Sequence, residues 1–165
     1  MYRTIVCAIG NGPRETAERI LNKAAGILDK DGSIFVIHAV ETMPRYMTAS
    51  LPEDFETAAI KDAEEKLTLL CRQMKIPALV EVHTGSAARV LLAAAREKET
   101  DLIILSTHVA DITDYIFGAV VDRVVRHAKC SVLVDRKQSP GHKLSGAVET
   151  VARCISPPSR PSPQT

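Results

Sequence analysis

The chain alternates five short apolar runs with longer segments whose apolar residues recur at helical spacing. The apolar runs occupy residues 4–9, 33–40, 78–82, 102–105 and 131–134. Most of them are continuous rather than alternating, which is typical of strands buried on both faces of a sheet. Four successive strand–helix pairs and a closing strand predict an α/β fold: a parallel sheet with right-handed crossovers and helices on both faces.

Four helices are predicted from this spacing and from the residues that begin and end them. The first opens at Pro13, which suits a first helical turn, and ends at Asp31-Gly32. The third starts after Ser86 as its N-cap residue, and the fourth covers residues 115–129. The residues expected to pack inward in the first and fourth helices are Ala17, Ile20, Leu21, Ala24, Ile27, Leu28, Ile116, Phe117, Val120, Val121, Val124 and Val125.

The composition argues against nucleic acid, membranes and metal ions as binding partners. With 165 residues, 21 Lys and Arg against 20 Asp and Glu, and a net charge of +1, the chain has no field that would recruit nucleic acid or an anionic membrane. No apolar stretch resembles a signal peptide or a membrane span. The four cysteines lie far apart without a Cys-x-x-Cys pair, so we expect no metal site and reduced thiols in a cytoplasmic protein.

Two long segments, residues 41–51 and 106–114, follow predicted strands and therefore lie at the carboxyl edge of the sheet. Open α/β sheets bind ligands at this edge. After residue 136 the composition shifts, so we predict one domain over residues 1–136 and a C-terminal tail over residues 137–165. The tail contains a possible short helix at 143–155 and ends in a Pro- and Ser-rich segment that we expect to be disordered.

Several segments, in order, carry a family resemblance. They are YRTIVCAI at residues 2–9, VIHAV at 36–40, GSA at 85–87, DLIILSTH at 101–108 and, most specific, FGAVVDRVVRHAKCSVLV at 117–134. Together they resemble a universal stress protein domain of the universal stress protein A type. The resemblance implies a Rossmann-like fold, similar to the adenine nucleotide hydrolases, with a five-stranded parallel sheet in the order 3-2-1-4-5. It also implies a stress-response role.

The last strand is the expected site of self-association. The family resemblance implies a homodimer joined through this strand. The sequence of the strand also favours a dimer, because an apolar edge strand without Pro or Lys can pair its free backbone groups with a strand of another chain. The residues expected at the dimer interface are Ser131, Val132, Leu133 and Val134. In an alternative interpretation the tail after Asp135 covers this edge.

The resemblance also implies a nucleotide loop, and here the sequence departs from the family. Family members that bind ATP carry the pattern Gly-x2-Gly-x9-Gly-Ser/Thr. Its glycines allow the backbone to approach the phosphate groups closely, and backbone N–H groups donate hydrogen bonds to them. The corresponding positions hold Ser106, Val109, Gly118 and Ala119, so one of four is retained, and Gly10 replaces an Asp that follows strand one in many members. Val109 is unsuited to a positive φ, and Ala119 removes a hydroxyl donor.

A degraded cleft between strands one and four is therefore the expected site. The residues expected to line this cleft, and to contact a nucleotide if one binds, are Gly10, Ala39, Ser106, Thr107, His108, Gly118, Ala119 and Val120. His108 with Asp111 and Asp114 is the best catalytic cluster, but no recognisable catalytic motif surrounds it, so we expect no enzyme activity. We predict a regulatory homodimer that contacts an unknown protein partner, with no cofactor. The alternative is an ATP- or AMP-binding switch or slow ATPase that uses magnesium.

Overall fold

The computed structural model describes residues 1–41, 55–107 and 118–136. These residues form a five-stranded parallel sheet in the order β3-β2-β1-β4-β5. The elements are β1 Tyr2–Ala8, α1 Arg14–Ile27, β2 Leu28–Val40, α2 Phe55–Gln73, β3 Ala78–Thr84, α3 Ala87–Glu97, β4 Leu102–Ser106, α4 Ala119–His127 and β5 Ser131–Asp135. The predicted fold class and strand order are confirmed.

The sheet separates two apolar cores, one on each face. Side chains of β1 alternate between them: Ile5 and Cys7 pack with α1 and α2, whereas Val6 packs with α3 and α4. Both cores include residues of β4, which lies beside β1. Continuous apolar runs in β1 and β4 thus fill both faces, as the sequence predicted. The Cys7 thiol is one of these core groups, and burial raises its pKa to about 12.

The prediction that α1 ends at Asp31-Gly32 is wrong. The helix ends at Ile27, and β2 starts at Leu28. The ladder with β1 pairs Tyr2 with Leu28 and then Thr4 with Ser33, so β2 carries extra residues between these two pairs. A Cβ on Gly32 would lie 2.8 Å from the carbonyl oxygen of Arg3. Gly32 therefore permits a close approach of two strands and does not stop a helix.

Two predictions about the later helices also need correction. The fourth helix is shorter than residues 115–129, because α4 covers Ala119–His127 with Gly118 as its N-cap residue. Val120 and Val125 do not pack inward but are 36% and 50% exposed, since the buried stripe of so short a helix is carried by Val121 and Val124. Ser86 does occupy the N-cap position of α3, but its side chain makes no capping hydrogen bond. Ile116 and Phe117 lie outside the described residues.

Asp101 joins the amino ends of three strands. Its carboxylate accepts hydrogen bonds from the backbone N–H groups of Arg3 at 2.9 Å and Thr4 at 3.0 Å. Its own N–H donates to Thr4, and its carbonyl accepts from the N–H of Ser131. The N–H groups of Thr4 and Arg3 favour the charged carboxylate and hold the pKa of Asp101 below its ordinary value of 3.8.

Replacement of Asp101 by Ala is expected to destabilise the fold in a pH-dependent way. A carboxyl whose pKa is depressed by folding contributes stability above its unfolded pKa, and this contribution is lost as the pH falls through the folded value. The variant should therefore unfold at lower urea concentration than the wild type at pH 7. The difference should shrink as the pH falls below 3.8. Equal differences at pH 7 and at low pH would contradict this role of the carboxylate.

Candidate functional site

A cleft of about 160 Å³ opens at the carboxyl edge of the sheet, where β1 and β4 end. The first turns of α3 and α4 form its sides, since Ala87, Val120 and Val121 line it. The remaining lining residues come from the ends of β1, β2 and β4 and from α3: Ala8, Ile9, Gly10, Ile37, Ala39, Leu91, Leu105 and Ser106. The cleft thus lies at the sheet edge where the sequence places a ligand site.

A buried histidine fixes the end of β1 that carries Gly10. His38 is 5% exposed, and its Nδ1 lies 2.7 Å from the carbonyl oxygen of Ile9. A carbonyl oxygen can only accept, so Nδ1 carries the hydrogen and donates it. The N–H of Ile9 in turn donates to the carbonyl of Ile37 at 3.1 Å. The buried imidazole of His38 is therefore a hydrogen-bonded structural group.

The chemistry of the cleft wall is almost entirely apolar. Ser106 supplies the one polar side chain among the described residues that line it, and none of them is charged. Phosphate groups in proteins are usually bound by Lys, which acts as a point charge, or by Arg, which donates two parallel hydrogen bonds. Within the described ranges, no group of three His, Cys, Asp or Glu side chains could hold a metal ion either. Among the described lining residues, the side chains therefore supply neither cations for a triphosphate nor a cluster of metal ligands.

Backbone groups are the polar feature that the cleft does possess. The first hydrogen bond within α4 runs from the Asp122 N–H to the Gly118 carbonyl, and in α3 the corresponding bond joins Val90 to Ser86. The amides before these positions have no partner within their helices. Two helix N-termini, each with a partial positive charge, thus border the same cleft.

The amino-acid sequence identifies the protein family. Residues 1–136 match the universal stress protein family. The chain belongs to this family. It is 26% identical over 142 residues to universal stress protein G of Salmonella typhimurium, and this alignment covers 82% of the chain and 100% of that protein.

Two solved universal stress proteins resemble the structure. One, in complex with cAMP, has a TM-score of 0.61 and 16% identity, with 83% of this chain and 99% of that chain covered. The other, from Archaeoglobus fulgidus in complex with dAMP, has a TM-score of 0.57 and 14% identity, with 81% and 97% covered. At such identities the likeness shows the shared fold.

The universal stress protein fold brings part of the predicted lining together. Gly10, Ala39, Ser106 and Val120 all line the cleft. Gly118 and Ala119 lie at the start of α4, directly before Val120. Thr107 follows β4, and its N–H donates to the carbonyl of Asp135, so its backbone is tied to β5. His108 lies outside the described residues, as do Val109, Asp111 and Asp114.

Sequence reasoning missed the apolar half of the site. Ile37, Leu91 and Leu105 line the cleft, and they were assigned only to strands and to a helix core. Leu105 directly precedes Ser106 and Leu91 lies one helical turn after Ala87, but no local pattern in the sequence marks these residues as neighbours of Ile37. The loop also departs from the universal stress protein pattern in length: residues 110–117 number eight where the nucleotide-binding pattern has nine.

The strand β5 forms one edge of the sheet, as predicted. The N–H of Ser131 donates to the Asp101 carbonyl, and the carbonyl of Asp135 accepts from the Thr107 N–H. Because backbone groups alternate in direction along a strand, odd-numbered residues of β5 bond to β4 while Val132 and Val134 turn their backbone groups outward. The side chains of Val132, Leu133 and Val134 are half-buried, and Ser131 is exposed.

None of the helices in the described ranges is long and apolar enough to cross a membrane.

Proposed function

We propose that this universal stress protein is a homodimeric regulatory module of the cytoplasm that acts in a stress response by contacting another protein. It works without a cofactor and without catalysis. The observation that carries the proposal is the chemistry of the carboxyl-edge cleft. Its described lining contains one hydroxyl and no charge.

The size of the cleft supports the same conclusion. Ligand pockets for molecules of moderate size usually enclose about 300–1,000 Å³. The described walls of the cleft bound about 160 Å³, which is below this range. Three of the four loop positions that recognise phosphate in nucleotide-binding members are changed, at Ser106, Val109 and Ala119. If the cleft binds no ligand, the protein acts through contacts that its surface makes with a partner protein.

The edge strand β5 supports the dimer. Its outward N–H and C=O groups at Val132 and Val134 have no ladder partner within the described residues, because β5 pairs there with β4 alone. An exposed edge of this kind is completed when the same strand of a second copy pairs with it across a two-fold axis. The apolar side chains of Val132, Leu133 and Val134 would add burial to the backbone hydrogen bonds.

Substitution of Val132 by Pro tests this interface. Proline removes an outward N–H that β4 does not use, and edge strands tolerate proline at such positions. Light scattering at micromolar concentration should give twice 17.9 kDa for the wild type and 17.9 kDa for the variant. Val82→Pro is the matched control: Gly85 donates to Val40, so by alternation Val82 turns its N–H outward on the opposite edge strand, β3. A monomeric wild type, or dissociation by both variants, would contradict the proposed interface.

A second candidate function is an adenine-nucleotide switch or slow ATPase that uses magnesium. The observation in its favour is the pair of helix N-termini that borders the cleft, since such amides bind phosphate groups readily. The class of ligand is suggested by two solved relatives, one in complex with cAMP and one in complex with dAMP. Saturable binding of ATP by the wild-type protein separates this candidate from the regulatory module.

A further inference from the structure

A second cavity lies at the opposite edge of the sheet from the cleft. It encloses about 220 Å³ between the C-terminal ends of α3 and α4 and the segment that leads into β5. Its lining residues are Leu92, Ala95, Arg96, Glu99, Thr100, His127, Ala128, Lys129 and Cys130. None of these residues lines the carboxyl-edge cleft, so the two cavities are separate sites.

Apolar residues line the inner part of this cavity, and one lining residue, Thr100, carries a buried hydroxyl without a hydrogen-bond partner. Ala95 and Thr100 are buried, and Leu92, Ala128 and Cys130 are half-buried. Thr100 is 7% exposed, and its Oγ1 has no hydrogen-bond partner. Over residues 1–41, 55–107 and 118–136 it is the one buried side-chain polar atom in that condition. Buried polar groups are nearly always satisfied, so a missing partner is expected to come from outside the chain.

The rim of the cavity is charged and exposed. Arg96, His127 and Lys129 surround it with basic groups, and Glu99 adds one carboxylate. Within the described part of the chain none of these four side chains takes part in a hydrogen bond or an ion pair, whereas Arg126, also on α4, pairs with Asp122 at 2.9 Å. Arg96 and Lys129 are thus free to meet a carboxylate, which they bind by charge-assisted hydrogen bonds.

We propose that this cavity binds a small organic acid of about ten non-hydrogen atoms that carries a hydroxyl group besides its carboxylate. The carboxylate meets Arg96 and Lys129 at the rim. The ring or chain covers Leu92 and Ala95, and the hydroxyl supplies the partner that Thr100 lacks after a rotation of the Thr100 side chain. The volume fits, because an apolar cavity of about 150 Å³ already holds a benzene molecule.

The cavity is a binding site and not a reaction site. Cys130 also lines the cavity, and burial raises the pKa of its thiol, which disfavours the nucleophilic thiolate. The competing occupant is an ordered water molecule, which satisfies buried hydroxyls in many proteins and requires two to four polar partners. A water would not need the unpaired cations of the rim, and this difference separates the two possibilities in an experiment.

Titration of the full-length protein with 4-hydroxybenzoate, followed by amide NMR, tests the proposal. The amides of Ala95, Thr100 and Cys130 should shift saturably with a dissociation constant of about 0.1–1 mM. The amides of Gly10 and Ser106 in the other cavity should not move. The neutral amide 4-hydroxybenzamide should bind about tenfold more weakly, because it cannot form the charge-assisted hydrogen bonds.

Two variants and one control test whether the ligand contacts Arg96 and Thr100. Arg96→Gln should weaken binding about tenfold, and Thr100→Val, which keeps the shape of the side chain, about threefold to tenfold. Arg89→Gln is the control, because Arg89 is an exposed cation on α3 that does not line the cavity. Absence of saturable shifts up to about 10 mM would overturn the proposal in favour of a water-filled cavity. Equal losses in the Arg96 and Arg89 variants would also overturn it, since they would indicate non-specific attraction.

Discussion

Replacement of both Arg19 and Lys23 by methionine is expected to lower the free energy of unfolding by about 3–5 kcal/mol. The carboxylate of Asp135 is fully buried at the end of β5, and these two cations of α1 are its ion-pair partners. Arg19 Nε lies 2.6 Å from one carboxylate oxygen, and Lys23 Nζ contacts the other. Without them, a buried negative charge is left uncompensated. Urea unfolding at pH 7 measures the loss, which is a large share of a typical domain stability of about 5–15 kcal/mol.

A third substitution distinguishes the buried charge from lost packing. Addition of Asp135→Asn to the double variant removes the charge and should restore most of the lost stability, because a neutral amide is cheaper to bury. Arg14→Met is the control on the same helix. Its pair with Glu18 is exposed, so its loss should cost less than about 1 kcal/mol. A double variant as stable as the Arg14 control would show that this buried ion pair does not stabilise β5.

Restoration of the nucleotide-binding signature is expected to strengthen the binding of magnesium–ATP. The variant carries Gly10→Asp, Ser106→Gly, Val109→Gly and Ala119→Ser, with one glycine inserted after residue 110 to restore the nine-residue spacing. An ideal Cβ on Gly10 meets no atom within 4 Å, so a side chain can start at this position without a steric clash. The new contacts to ribose and phosphates, added to the helix N-termini, should tighten magnesium–ATP binding at least about 100-fold.

The restored variant needs a matched control for its added charge and for folding. Gly26→Asp supplies the charge control, because Gly26 is an exposed residue of α1 whose Cβ would also meet no atom within 4 Å. It should leave ATP binding unchanged in calorimetry. Circular dichroism should confirm that the restored variant folds. A folded variant with no gain in affinity would contradict the assignment of these positions as determinants of nucleotide binding.

The sequence predicted the sheet well because its signals are local. Continuous apolar runs of four to eight residues identify buried strands wherever they occur, and helical segments between them dictate parallel order. Helix ends were less predictable. Asp31-Gly32 resembles a helix stop, but what decides its role is the approach of Arg3 from a neighbouring strand, and this contact is not local in sequence. Val125 resembles a core residue but is half exposed, because α4 packs only a narrow stripe.

The structural roles of two polar residues, Asp135 and Thr100, were not predictable because they depend on residues far away in the sequence. Asp135 looks like the first polar residue of the tail, and nothing nearby in sequence indicates that α1 supplies two cations to it. Thr100 carries no signal at all, since an unsatisfied hydroxyl is a property of its surroundings. The cleft was predictable in position, because strand ends and glycines mark the carboxyl edge. Its apolar lining was not, because Ile37 and Leu91 first meet in the folded structure.

Equilibrium dialysis of the wild-type protein against labelled ATP with magnesium is the most direct test of the proposed loss of nucleotide binding. The apolar lining of the carboxyl-edge cleft predicts no saturable binding up to about 1 mM ATP. Saturable binding of one ATP per chain at micromolar concentration would contradict the proposed regulatory module. In that case the helix N-termini at Ala87 and Val120 hold phosphate without the help of cationic side chains, and the protein is a nucleotide switch.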